Sequence, residues 1–71
     1  MSSLDTQVGG SHYSGDRAIQ PIQYIHANDL GFMEGNIVKY VSRHHLKNGA
    51  EDLRKARHYI DMLLELEYGE E

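Results

Sequence analysis

The sequence predicts an all-α fold, about three helices behind a Gly/Ser-rich N-terminal arm, assembled as a helical homo-oligomer. Three observations carry the helical part of that prediction. Apolar residues from Met33 onward recur at steps of three and four, while no stretch holds the period of two that a half-buried strand requires. Asn48-Gly49 interrupts the pattern as a helix break does. Pro21 stands where a first helical turn tolerates a missing N–H.

The elements follow in chain order. Residues 1–16 carry Gly9, Gly10 and Gly15 around Ser11-His12-Tyr13-Ser14, a composition that reads as a flexible arm. His12-Tyr13 is either an aromatic anchor for that arm or a lid that touches a ligand. Residues 17–71 form a single helical domain. Its first helix opens at Pro21, carries Ile22, Ile25 and Ala27 as its apolar stripe with Tyr24 beside it, and stops near Asn28, Asp29 and Gly31.

The second helix is expected from Met33 to Lys47. Met33, Ile37, Tyr40, Val41 and His44 make its apolar face, and Asn36, Lys39, Arg43 and Lys47 line the opposite flank as one basic stripe. Gly35 costs this helix about 1 kcal/mol against Ala, which makes sense if a backbone or ligand approaches closely there.

The third helix is expected from Ala50 to Glu67, with Glu51 and Asp52 set against its N-terminal dipole. Leu53, Ala56, Ile60, Leu63 and Leu64 form its main stripe, widened by Tyr59, Met62 and Leu66 to an arc of roughly 200°. One small domain covers little more than half of that arc, so the excess predicts contact with another copy. Glu51–Lys55 and Arg57–Asp61 have ion-pair spacing, and the acidic tail opposes the C-terminal dipole, so the last turn is expected to fray.

Composition narrows the chemistry. At 71 residues the chain buries only about 60% of its unfolded surface. It has no cysteine to staple that small core, which excludes thiolate zinc sites and thiol catalysis and suggests an intracellular setting. Seven Lys and Arg against eleven Asp and Glu argue against a protein that coats long nucleic acid. Neither a signal peptide nor a membrane-spanning run is expected.

No Walker-type loop or dinucleotide fingerprint is present. The five histidines lack the paired carboxylate/His spacing of a metal site, so no metal and no cofactor are expected. The basic stripe remains, either as a solvated face paired with Glu34 or Asp52, or as a row for phosphate oxygens.

Several motifs recur in one order: His12-Tyr13, Ile19-x-Pro21-Ile22, Phe32-x-x-Gly35-Asn36 and Lys39-Tyr40-x-x-Arg43. Lys47-x-Gly49, Asp52-Leu53-x-Lys55-Ala56 and Tyr59 follow them. Over about residues 11 to 66 this series resembles a small phage-encoded family carried as a domain of unknown function. Its members are often labelled nucleotide kinase, because a longer podovirus nucleotide kinase contains a similar segment. The resemblance implies a phage protein, cytoplasmic in the infected bacterium, that contacts a phosphorylated nucleotide. This chain lacks the rest of that kinase and carries His44-His45-Leu46 between the arginine and the lysine, which favours binding over catalysis.

The expected nucleotide contacts are therefore His12, Tyr13, Asn36, Lys39, Tyr40, Arg43 and Lys47, with Arg54, Arg57 and His58 reaching in from a neighbouring chain. The expected function is sequestration of a phosphorylated or cyclic nucleotide, in counter-defence or in pool control. One alternative is a minimal nucleoside-monophosphate kinase in which Asp52 or His12 orients the nucleophile. Another is an inhibitor whose wide apolar helix grips a host protein.

Overall fold

A computed structural model describes residues 19–70 as three α-helices and a short 3-10 turn, with no strand among these residues. The expected 1–16 arm lies outside the described residues. Helix α1 spans Pro21–Ala27, α2 Phe32–Arg43 and α3 Ala50–Tyr68, and the 3-10 turn occupies His44–Leu46. No described helix is long and apolar enough to cross a membrane.

Helix α1 starts as Pro21 predicts. The Gln20 backbone N–H donates to Gln23 Oε1 at 2.6 Å, supplying an acceptor just ahead of the first turn. The helix stops at Asp29, which takes a left-handed φ of 58°. Leu30 N–H then donates to the Ile25 carbonyl at 3.0 Å and Asp29 N–H to the His26 carbonyl at 3.1 Å, a Schellman closure. Gly31 serves the next element instead, as the N-cap of α2.

Gly35 is buried where α1 crosses α2. A Cβ at this position would lie 3.1 Å from Ile25 Cγ2, so the close approach that justifies a glycine here is that of Ile25.

The end of α2 lies against the start of α3, and Phe32 at the start of α2 reaches Tyr59 in α3, so the two helices form an antiparallel hairpin. Helix α2 ends at Arg43 rather than Lys47. The chain must reverse within six residues, and the 3-10 turn tightens it until Gly49 N–H donates to the His44 carbonyl at 2.7 Å. Gly49 completes the reversal at φ 58° and ψ −130°, a conformation that a Cβ resists. Helix α3 continues one residue beyond expectation, to Tyr68. Gly69 in the left-handed region ends it, with the N–H groups of Gly69 and Glu70 capping the Glu65 and Leu64 carbonyls.

The core differs from the one the periodicity predicts. Ala56 and Pro21 are the buried apolar side chains among the described residues, and Asp52 is completely enclosed. The flank of α2 that meets α3 carries Tyr40 and Arg43, so part of the expected polar stripe turns inward and Val41 remains half exposed. Leu53 and Ile60 of α3 are each 43% exposed, so much of the wide apolar arc stays uncovered. An ionic pair, rather than an apolar plug, closes the hairpin end of the fold.

Candidate functional site

Asp52, in the first turn of α3, is held from both sides of the turn. Arg43 donates Nε to Oδ2 at 3.3 Å and Nη2 to Oδ1 at 3.4 Å. The Asn48 backbone N–H donates to Oδ2 at 3.3 Å, and its side-chain amide to Oδ1 at 3.5 Å. Burial alone would raise the carboxyl pKa, but the Arg43 hydrogen bonds, the Asn48 donors and the Arg43 charge outweigh it. The net effect holds Asp52 below the ordinary carboxylate range. Its oxygens already accept from these groups, so Asp52 is not placed to orient a nucleophile; His12, the other residue the kinase alternative names, lies outside the described residues.

Above this lock sits Tyr40. Lys39 Nζ lies 4.5 Å from its ring centroid, the Arg43 guanidinium carbon 4.7 Å and Lys55 Nζ 5.5 Å. Each distance falls within the range where the ring quadrupole attracts a cation, about 0.5–1 kcal/mol at an exposed site. The Tyr40 ring stacks on Tyr59 at 6.1 Å and 20°, and Tyr59 meets Phe32 edge-on at 6.1 Å. Beside the tyrosines a cleft of about 530 Å³ is lined on its polar side by Glu51, Arg54, Lys55 and His58. Glu51 pairs with Lys55 at 3.9 Å, whereas Lys39 makes no ion pair with any described residue.

The expected contacts distribute unevenly over this geometry. Lys39, Tyr40, Arg54 and His58 gather at or beside the cleft. His12 and Tyr13 lie outside the described residues. Asn36 turns its amide back onto the Phe32 carbonyl at 2.9 Å. Arg43 is a correction: it was expected along an outward stripe, but it is buried and bonded to Asp52. Lys47 is another, because α2 ends four residues earlier and leaves it on an exposed turn, off the helical row. Arg57 is exposed on α3 and does not line the cleft.

Lys55 and Tyr59 were absent from the expected set. Lys55 reads from the sequence as a motif position with ion-pair spacing to Glu51, and Tyr59 as part of the wide apolar arc of the third helix. The signal for both was the pairing of tyrosines on two neighbouring helices, Tyr40 next to Lys39 and Tyr59 one turn after Lys55. Among the described residues no three metal-ligating side chains come together.

A second hollow, of about 460 Å³, separates α1 from α2. Pro21, Tyr24, Ile37, Val38 and Val41 line it, and no charged residue does. Gln20 and Ser42 are its other polar lining, and among the described residues it presents no cation to a phosphate.

A family model described as a protein of unknown function, DUF3310, matches residues 8–61 of this chain. The chain belongs to that family. The DUF3310 match spans α1, α2, the turn and most of α3, so the Arg43–Asp52 lock and the Tyr40 cluster both fall within the family's domain. No curated protein and no solved structure matches the chain.

Proposed function

We propose that this DUF3310 protein binds a phosphorylated nucleotide, linear or cyclic, and holds it without turning it over. The observation that supports this reading is the Tyr40 ring with Lys39, Arg43 and Lys55 around it, at the edge of a cleft that also presents Arg54 and His58. A tyrosine face accepts a nucleobase at about 1–3 kcal/mol per stack, and lysines meet phosphate oxygens as point charges. The whole chain carries a net charge of −4, so a local group of cations is the place where an anion gains most. In this reading Lys39 and Lys55 neutralise phosphate, with Arg54 and His58 at the rim. Arg43 acts through Asp52 and Tyr40 as a positioning residue.

The engaged oxygens of Asp52 favour sequestration over a kinase in which Asp52 orients the nucleophile. In an infected bacterium such a protein would withdraw a nucleotide signal of host defence or a pool nucleotide from the cytoplasm. The test is calorimetric titration with mononucleotides and cyclic oligonucleotides, together with a Lys39→Ala, Lys55→Ala variant. The reading expects saturable binding that the double variant loses without losing its fold. It is overturned if no nucleotide binds, or if the double variant binds as the parent does. ATP-dependent phosphorylation of a bound monophosphate would replace sequestration by catalysis.

A further inference from the structure

Helix α3 leaves an apolar stripe unused by its own chain. Leu53 and Ile60 lie seven residues apart on one side of the helix, each 43% exposed, and Leu64 continues the row one turn on. Arg57 and Asp61 flank the row and are exposed. They have the same one-turn spacing as Glu51 and Lys55, yet neither makes an ion pair with any described residue.

The charge order along α3 decides what fits this stripe. Its first half carries Arg54, Lys55, Arg57 and His58, with its two acids already paired, Glu51 to Lys55 and the buried Asp52 to Arg43, and its second half carries Asp61, Glu65 and Glu67. Such a helix is its own complement when a copy runs antiparallel, because each basic half then meets an acidic half and the two helix dipoles oppose. The apolar row has the same symmetry. A two-fold axis level with residue 59 brings Leu53 within one residue of the partner's Leu64 and Ile60 within two residues of the partner's Ile60. The same axis sets Arg57 opposite the partner's Asp61. We propose that the Leu53–Ile60–Leu64 face of α3 is an isologous interface, occupied by α3 of a second copy of this chain. The proposal is tested apart from the nucleotide reading, since Leu53, Arg57, Ile60, Asp61 and Leu64 do not line the Tyr40 cleft, although Arg54, Lys55 and His58 of the basic half do.

Sedimentation equilibrium of the full chain at low salt tests it. The parent is expected at twice its 8.1 kDa chain mass, or at an even multiple of it. Arg57→Asp and Asp61→Arg each place like charges opposite one another twice per dimer, and each should weaken self-association about tenfold or more. Both positions are on the surface, so the helical circular-dichroism signal should stay unchanged. Mixing the two single variants in equal amounts restores both ion pairs across the axis and should return the parent mass. The Arg57→Asp, Asp61→Arg double variant should also return it. A monomeric parent would overturn the proposal, as would single variants that associate like the parent. A mixture of the two single variants that stays monomeric would overturn it too.

Discussion

Arg43 and Asp52 face each other across the turn between α2 and α3, with the guanidinium donating to both carboxylate oxygens at 3.3 and 3.4 Å. Asp52 is fully enclosed and Arg43 nearly so, whereas large apolar residues such as Phe32 and Leu66 are more than two-thirds exposed. The register of the helical hairpin therefore depends on an ionic contact, and its stability should depend on that contact's charge state.

Acid should weaken the fold through Asp52. Its folded-state pKa lies below the unfolded value, because Arg43 and Asn48 outweigh the burial that would raise it. Between the two values the unfolded chain binds more protons, so stability falls as the pH falls. The Asp52 contribution is complete at neutral pH, declines below about pH 5, and is gone once the pH passes the folded-state value. Urea unfolding at steps from pH 7 to pH 3 measures this slope. The Asp52→Asn variant should start less stable and show a shallower loss over the same window.

Removing the cation should cost more than removing its neighbour. Arg43→Ala leaves an enclosed carboxylate without its charged partner, whereas Lys39→Ala removes a half-buried ammonium held by the Tyr40 face. Arg43→Lys keeps the charge but not the two-pronged donation. Melting temperatures should rank parent, Lys39→Ala, Arg43→Lys, Arg43→Ala, from highest to lowest.

Gly35 sets two effects of similar size against each other. Alanine there gains about 1 kcal/mol of helix propensity, but its Cβ would press on Ile25 Cγ2 at 3.1 Å. Gly35→Ala should therefore be no more stable than the parent. In an Ile25→Ala background the crowding atom is gone, and the same change should stabilise by about 1 kcal/mol. A double-mutant cycle by chemical denaturation reads the coupling; additive effects would show that α1 does not press on α2 at this point.

Gly49 is needed for its backbone alone. It adopts φ 58° and ψ −130°, and a Cβ there would meet nothing within 4 Å. L-alanine at this position should cost about 1–3 kcal/mol through backbone strain. D-alanine, for which the same angles are the mirror of an extended L-residue, should stabilise by about 0.4–1 kcal/mol by restricting the unfolded chain. A synthetic chain carrying each enantiomer separates conformation from packing, and equal stabilities would refute the assignment.

Much of the helical framework was legible locally. Pro21 marks the first turn of α1, Asn28-Asp29 its end, and Asn48-Gly49 the break before α3, because caps and left-handed turns depend on a few consecutive residues. The excess apolar surface of α3 was legible too, since it follows from counting residues around one helix.

What surrounds each helix was not legible. Arg43 and Lys39 look alike on the helical projection, yet the fold buries one against Asp52 and leaves the other above Tyr40. The most enclosed side chain in the described structure is an aspartate, which hydropathy ranks among the last to be buried. Its burial is tolerable only with Arg43 and Asn48 already in place, nine and four residues back along the chain. Lys55 and Tyr59 reached the site in the same way, through a neighbouring helix. By itself the sequence determined where the helices run and that they expose apolar surface in excess. Only the tertiary structure decided which face of α2 turns toward α3, because that choice depends on a polar contact between two helices that no periodicity within one helix encodes.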